Sequence, residues 1–158
     1  MALIVMIKTD EMKKILYIIS VIAALLSVCS CEKESGIQSQ LAGEWHCTVV
    51  ENEVTQDVYI SFGAGGQFEM YQMTGKGPYW YTSGKYYFDP ESNQLSGKYS
   101  DGYTWKYSYE VTVSDDTMVM KAVGLEGYSV SYTRTAIPDS VKAKSLPLTK
   151  SETVEFIL

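Results

Sequence analysis

Residues 41–47 read LAGEWHC, and they answer to residues 128–135, YSVSYTRT, at the other end of a small tyrosine-rich stretch of chain. In the first, Trp45, Cys47 and then Val49 alternate with His46 and Thr48; in the second, Tyr128, Val130 and Tyr132 alternate with Ser129, Ser131 and Thr133. Period two is the mark of a strand with one buried face. The same parity carries Arg134 to the apolar side. A buried guanidinium is costly unless it finds partners, and a tryptophan face with backbone carbonyls supplies them. The simpler alternative leaves Trp45 as ordinary core, with Arg134 reaching outward from a strand end.

Between these two stretches the alternation continues. The longest case is Tyr103 to Val113, where every odd position is aromatic or aliphatic and every even one polar, which predicts one strand over 103–113. Shorter alternating runs surround Val58-Ile60-Phe62, Phe68-Met70, Tyr86-Phe88, Leu95-Tyr99 and Met118-Met120. Turn residues separate them: Gly63 to Gly66, Gly75 to Pro78, Asp89 to Asn93, Asp101-Gly102, Asp115-Asp116 and Gly124 to Gly127. The pattern predicts an all-β fold, an eight-stranded up-and-down antiparallel barrel over 41–136, since closure removes exposed edges. Pro138 to Lys144 predicts a short helix within a C-terminal tail, 137–158, whose apolar end either docks on the barrel or frays.

Gly43-Glu44-Trp45 at the start of the first strand, with Arg134 near the end of the last, resembles the signature shared by lipocalins and their calycin relatives. The resemblance implies that the arginine packs across the indole and closes one end of the barrel, with Gly43 allowing the close approach. It spans residues 43–135. A second lipocalin signature in the middle strands is missing, and the chain is shorter than typical lipocalins. The overall likeness is to small lipocalin-like lipoproteins of gut Bacteroidota.

The chain opens with a segment of a different kind. From Met12, read here as the translation start, the sequence runs MKKILYIISVIAALLSVCSC: two lysines, an apolar run from Ile15 to Val28, then small residues. This is the order of a secretory signal peptide. The apolar run of 14 residues is too short to cross a bilayer as a helix. Val28-Cys29-Ser30-Cys31 resembles the lipobox of bacterial lipoproteins, with Ser30 before Cys31 and Cys29 as a departure at the preceding position. It implies cleavage after residue 30, lipidation of Cys31 and a partner in the membrane through that lipid. Residues 31–40 then read as a polar tether. The expected location is the cell envelope, lipid-anchored to the outer membrane, on its periplasmic face or at the cell surface.

From Cys31 onward 10 Lys and Arg face 17 Asp and Glu. No basic run is present, which argues against nucleic acid as a partner. With Cys31 acylated, only Cys47 stays a thiol, so no disulfide framework supports the fold and a hydrophobic core must do so.

No catalytic signature emerges, and no cofactor is implied. The sole histidine, His46, projects to the opposite face of its strand from Cys47. One histidine and one thiol make a poor metal site. Asp115-Asp116 reads as a turn, and the glycines at 63, 65 and 66 precede no helix that could hold phosphate. Phe68, Met70, Tyr86, Phe88, Tyr103, Trp105, Tyr107, Tyr109, Tyr128 and Tyr132 are the inward positions that would line a ligand chamber. Their hydroxyls suit a small apolar or amphipathic ligand, and equally suit a filled core with internal hydrogen bonds. Tyr79-Trp80-Tyr81 adds either a rim that stacks on sugar or lipid rings or a strand packed on both faces. The expected function is ligand binding by a lipid-anchored barrel; the alternative is a non-enzymatic interaction or structural subunit with a filled barrel.

Overall fold

The computed structural model describes residues 36–51, 53–148 and 158; the leader, Cys31 and residues 149–157 of the tail lie outside the described residues. Eight strands follow in order: β1 (Gly43–Glu51), β2 (Val54–Phe62), β3 (Gln67–Thr74), β4 (Trp80–Asp89), β5 (Gln94–Tyr99), β6 (Tyr109–Ser114), β7 (Thr117–Ala122) and β8 (Ser129–Arg134). Each pairs antiparallel with the next. β8 returns to β1 through Trp45↔Arg134 and His46↔Thr133. The result is the closed up-and-down barrel that the alternation predicts.

The turn chemistry explains the hairpins. Gly63 N–H bonds the Gln67 carbonyl at 2.8 Å, and Gly66 takes φ 77° in the same turn. Asp115, at φ 50°, and Asp116 form a two-residue loop between β6 and β7. These roles account for the glycine run and the acidic pair without phosphate or acid–base chemistry.

The predicted strand over 103–113 is corrected: β6 begins only at Tyr109. After the turn at Asp101-Gly102 the chain does pair with β5, through a bridge between Lys98 and Thr104 and a bond from Trp105 N–H to the Gly97 carbonyl at 2.9 Å. Pairing then lapses and resumes at Leu95↔Tyr109 and Gln94↔Glu110. Between the two stretches the register slips by two residues, a bulge that preserves parity. Trp105 and Tyr109 therefore both stay in the core, at 5% and 0% exposure. Tyr103 does not. It sits in the loop, 48% exposed, and does not face the interior as expected.

Helix α1 (Gly36–Leu41) replaces the last part of the expected tether, and its Leu41 is fully buried. Helix α2 (Asp139–Lys144) forms where Pro138 predicts it. It packs on the outside of the barrel, where Val141 and Ile137 join Tyr71, Tyr59, Tyr79 and Tyr81 in a second apolar cluster. Glu44 anchors the approach to this helix, accepting from Ile137 N–H at 2.8 Å and from Lys142 Nζ at 2.9 Å. Beyond it, β9 (Leu146–Pro147) runs parallel to the first residues of β4, covering an edge that β5 leaves open. Leu158 is buried at 3% exposure in the main core, and its carbonyl accepts from the Tyr99 hydroxyl at 3.1 Å.

Candidate functional site

One end of the barrel is sealed by the residues at its β1–β8 seam. The guanidinium carbon of Arg134 lies 4.1 Å from the centroid of the Trp45 ring, and Trp45 is fully buried. The cation is also held by carbonyls at the end of α1 and just after it, Nη2 donating to Gln40 O at 2.9 Å and Nη1 to Ala42 O at 3.0 Å, and by Asp116, whose Oδ1 lies 3.6 Å from Nε. A cation suits the carbonyl end of a helix, whose final acceptors have no partner within the helix. Trp45 Nε1 donates to the Leu41 carbonyl at 2.8 Å, so ring and cation hold the same turn. Gly43, at φ 138°, passes so close to Nη1 of Arg134 that a Cβ there would collide with it.

Inside, the barrel is lined by side chains in mutual contact. Trp45, Phe62, Phe68, Met70, Leu95, Tyr109, Met118, Met120 and Tyr132 are each at most 1% exposed. A side chain bordering a void wide enough for water would show accessible surface, so these rings and methyls fill the space between them. Of the proposed chamber residues, Phe68, Met70, Tyr86, Trp105, Tyr109 and Tyr132 lie in this core, and Phe88, Tyr107 and Tyr128 pack against it half-buried. Aromatic edges meet faces throughout: Phe68 and Trp105 have centroids 5.2 Å apart, Phe62 and Tyr86 5.0 Å. Tyr86 donates to the Gly63 carbonyl at 2.8 Å, and Tyr132 is hydrogen-bonded to Cys47. Burial pushes the Cys47 thiol up to about 12, offset in part by that bond and reinforced by Asp57.

Among the described residues, one buried side-chain polar group lacks a partner: the indole N–H of Trp105 has no acceptor. Trp105 packs on Gly97, and both border a hollow of about 390 Å³ where residues 104–108 cross β5. A second hollow, of about 500 Å³, opens beside it on the outer wall of β3, β4 and β5. Tyr87 and Lys98 border both. Pairing is sparse in this region, since β5 and β6 share only two paired positions, as few as β1 and β8 share where the barrel closes.

A family model described as a lipocalin-like domain matches residues 41–120, from the end of α1 into β7. The chain belongs to the lipocalin-like family. No curated protein and no solved structure matches it. The match stops short of β8, so Arg134 enters the lipocalin-like signature through its geometry alone.

On the outside of this lipocalin-like barrel a polar cluster surrounds Asp57. His46 Nε2 lies 2.7 Å from Asp57 Oδ1, Thr48 donates to the same oxygen at 3.1 Å, and Tyr79 donates to Oδ2. The His46 ring also stacks on Tyr59, with centroids 4.3 Å apart. Burial alone would raise the Asp57 carboxyl, but the bonds from Tyr79, His46 and Thr48 hold it below its ordinary value. Burial and the Asp57 bond together push the Tyr79 hydroxyl well above its own. The geometry fastens the β3–β4 loop to β1 and β2. Cys47 stays inside, away from this cluster, and among the described residues no three potential ligands gather as a metal site would require. Tyr79-Trp80-Tyr81 takes the two-sided arrangement, with Trp80 against the main core and Tyr79 and Tyr81 against the outer cluster.

Asp57, Gly97 and the carbonyls of Gln40 and Ala42 escape a reading of the sequence. Only Gly97 carries a local signal, a glycine inside a strand, which marks a close approach by another group.

Proposed function

We propose that this lipocalin-like protein is a lipid-anchored binding protein of the bacterial cell envelope, of the Bacteroidota type. It would take a small apolar or amphipathic molecule at the Trp105 side of the barrel. The observation that carries the reading is the unpartnered indole N–H of Trp105 beside the hollow at the β5–β6 seam. A buried donor without an acceptor is rare in a folded protein and marks a place for an absent acceptor. A ligand with an apolar body and one carbonyl or ether oxygen fits both halves of that environment, between Trp105 and Tyr107. Membership of a family of binding proteins supports a binding role over a catalytic one. Anchoring rests on Val28 to Cys31, with outer-membrane attachment through lipid on Cys31.

The test is native mass spectrometry on the protein purified from producing membranes, followed by titration of the co-purified compound against Trp105→Phe. The phenyl ring keeps an aromatic side chain in the core and removes the N–H, so affinity should fall about fivefold to tenfold. Unchanged affinity would overturn the assignment. Loss of membrane attachment in Cys31→Ser tests the anchor separately.

A second reading has its own support. An interior whose largest side chains are at most 1% exposed suits a filled barrel that acts through its outer surface on a partner chain. Co-purification of a protein at fixed stoichiometry, with no small molecule, would favour it.

A further inference from the structure

Lys85 on β4 and Lys98 on β5 are directly opposed in register, and both are exposed. Side chains so placed start about 5 Å apart, and like charges there repel. Among the described residues neither ammonium has a hydrogen-bond or ion-pair partner. The repulsion is thus unrelieved, in a chain whose net charge is −6. Two cations on the wall of an otherwise acidic molecule call for an anion to bridge them.

The hollow of about 500 Å³ that holds this pair is lined with more than charge. Residues 81, 83, 85 and 87 of β4 share its outward face, which sets Tyr81 and Tyr87 at opposite ends of some 20 Å of strand. Tyr87 is 58% exposed, a ring face open to solvent. Ser83 and Ser100 are held side by side by the bond from Ser100 N–H to the Ser83 carbonyl at 2.8 Å. Glu69 on β3 stands opposite Ser83 and accepts from the Tyr81 hydroxyl at 3.2 Å, so negative charge occupies the Tyr81–Ser83 half of the hollow and leaves the anion site to the lysine half. An isolated ion would leave the Tyr87 ring and the Ser100 hydroxyl without a role, whereas the Tyr81 hydroxyl already bonds Glu69 and Ser83. A sugar ring presents an apolar C–H face to tyrosine and hydroxyls to serine, and an acidic sugar adds the carboxylate or sulfate that two lysines bind.

We infer that the outer wall of β3, β4 and β5 is a binding site for an acidic saccharide, with Lys85 and Lys98 on its anionic group and Tyr87 under a neighbouring ring. This site is separate from the Trp105 seam, although Tyr87 and Lys98 border both hollows.

Isothermal titration at low ionic strength with a uronic-acid-containing tetrasaccharide tests it. Binding is expected, weakening as salt is added, with a neutral oligosaccharide of the same length at least about tenfold weaker. Lys85→Gln and Lys98→Gln should each weaken binding about tenfold, and Tyr87→Ala about threefold or more. All three positions are exposed, so the unfolding midpoint should stay unchanged. Trp105→Phe should leave saccharide affinity intact, which separates failure here from failure of the seam site. No binding at millimolar saccharide would overturn the inference. So would full affinity in the lysine variants, or equal binding of a single-stranded oligonucleotide of matched charge.

Discussion

Trp105 packs against the bare backbone of Gly97, so closely that a Cβ at the glycine would fall 2.6 Å from Cδ2 of the indole. That approach lets a residue just ahead of the bulge turn its ring into the barrel between Phe68 and Tyr109. Gly97→Ala should therefore destabilise the domain by about 1–3 kcal/mol in urea unfolding, the usual cost of overpacking. The same change in a Trp105→Phe background should cost less, since the smaller ring can retreat. Equal costs in both backgrounds would place the strain elsewhere.

Cys47 is 4% exposed, and its thiol is pushed up to about 12 by burial, so the reactive thiolate is scarce at neutral pH. In the native protein it should resist a disulfide reagent over hours and react completely in denaturant. Labelling kinetics read this directly, and prompt labelling of the native state would show that β1 and β8 separate readily.

Glu44 and Asp57 both titrate below their ordinary values in the folded state. For each, burial acts upward and is outweighed, by Ile137 N–H and Lys142 at Glu44 and by Tyr79, His46 and Thr48 at Asp57. A depressed carboxyl contributes stability that is complete above the unfolded value, near 4, and is lost as pH falls through the folded one. Unfolding free energy should thus decline as pH falls below about 4, and a Glu44→Gln/Asp57→Asn variant should show a shallower decline. Denaturant titrations from pH 7 to pH 3 measure both slopes, and parallel slopes would remove these carboxylates from the account.

The barrel was legible because each of its eight strands keeps one apolar face, and that pattern survives whatever the neighbouring strand is. The run from Tyr103 to Val113 shows the limit. Its alternation reports which side each residue faces, and Trp105 and Tyr109 do face inward, but alternation is blind to a two-residue slip that preserves parity. Tyr103 misled for a different reason: its carbonyl accepts from Tyr99 N–H at 2.7 Å and closes the turn at Asp101-Gly102, and its side chain stays out in that turn, 48% exposed. The pairing of Trp45 with Arg134 was suggested by parity at both ends of the domain. The carbonyls of Gln40 and Ala42 were not, because the residues before β1 carry no clear periodicity, and Gly36–Leu41 form a helix whose Leu41 enters the core. The hollows escaped notice because they depend on which side chains of three strands stand together, information held in register.

Arg134 seals the barrel across Trp45, and the most direct test of that closure is the stability of Arg134→Ala measured alone and with Trp45→Phe by urea unfolding. Loss of the ring contact and of the bonds to two backbone carbonyls predicts a cost of roughly 2–3 kcal/mol. It also predicts a smaller cost once the indole is gone, by about 1 kcal/mol. A loss below about 0.5 kcal/mol, the size of an ordinary surface substitution, or equal losses in the two backgrounds, would contradict it.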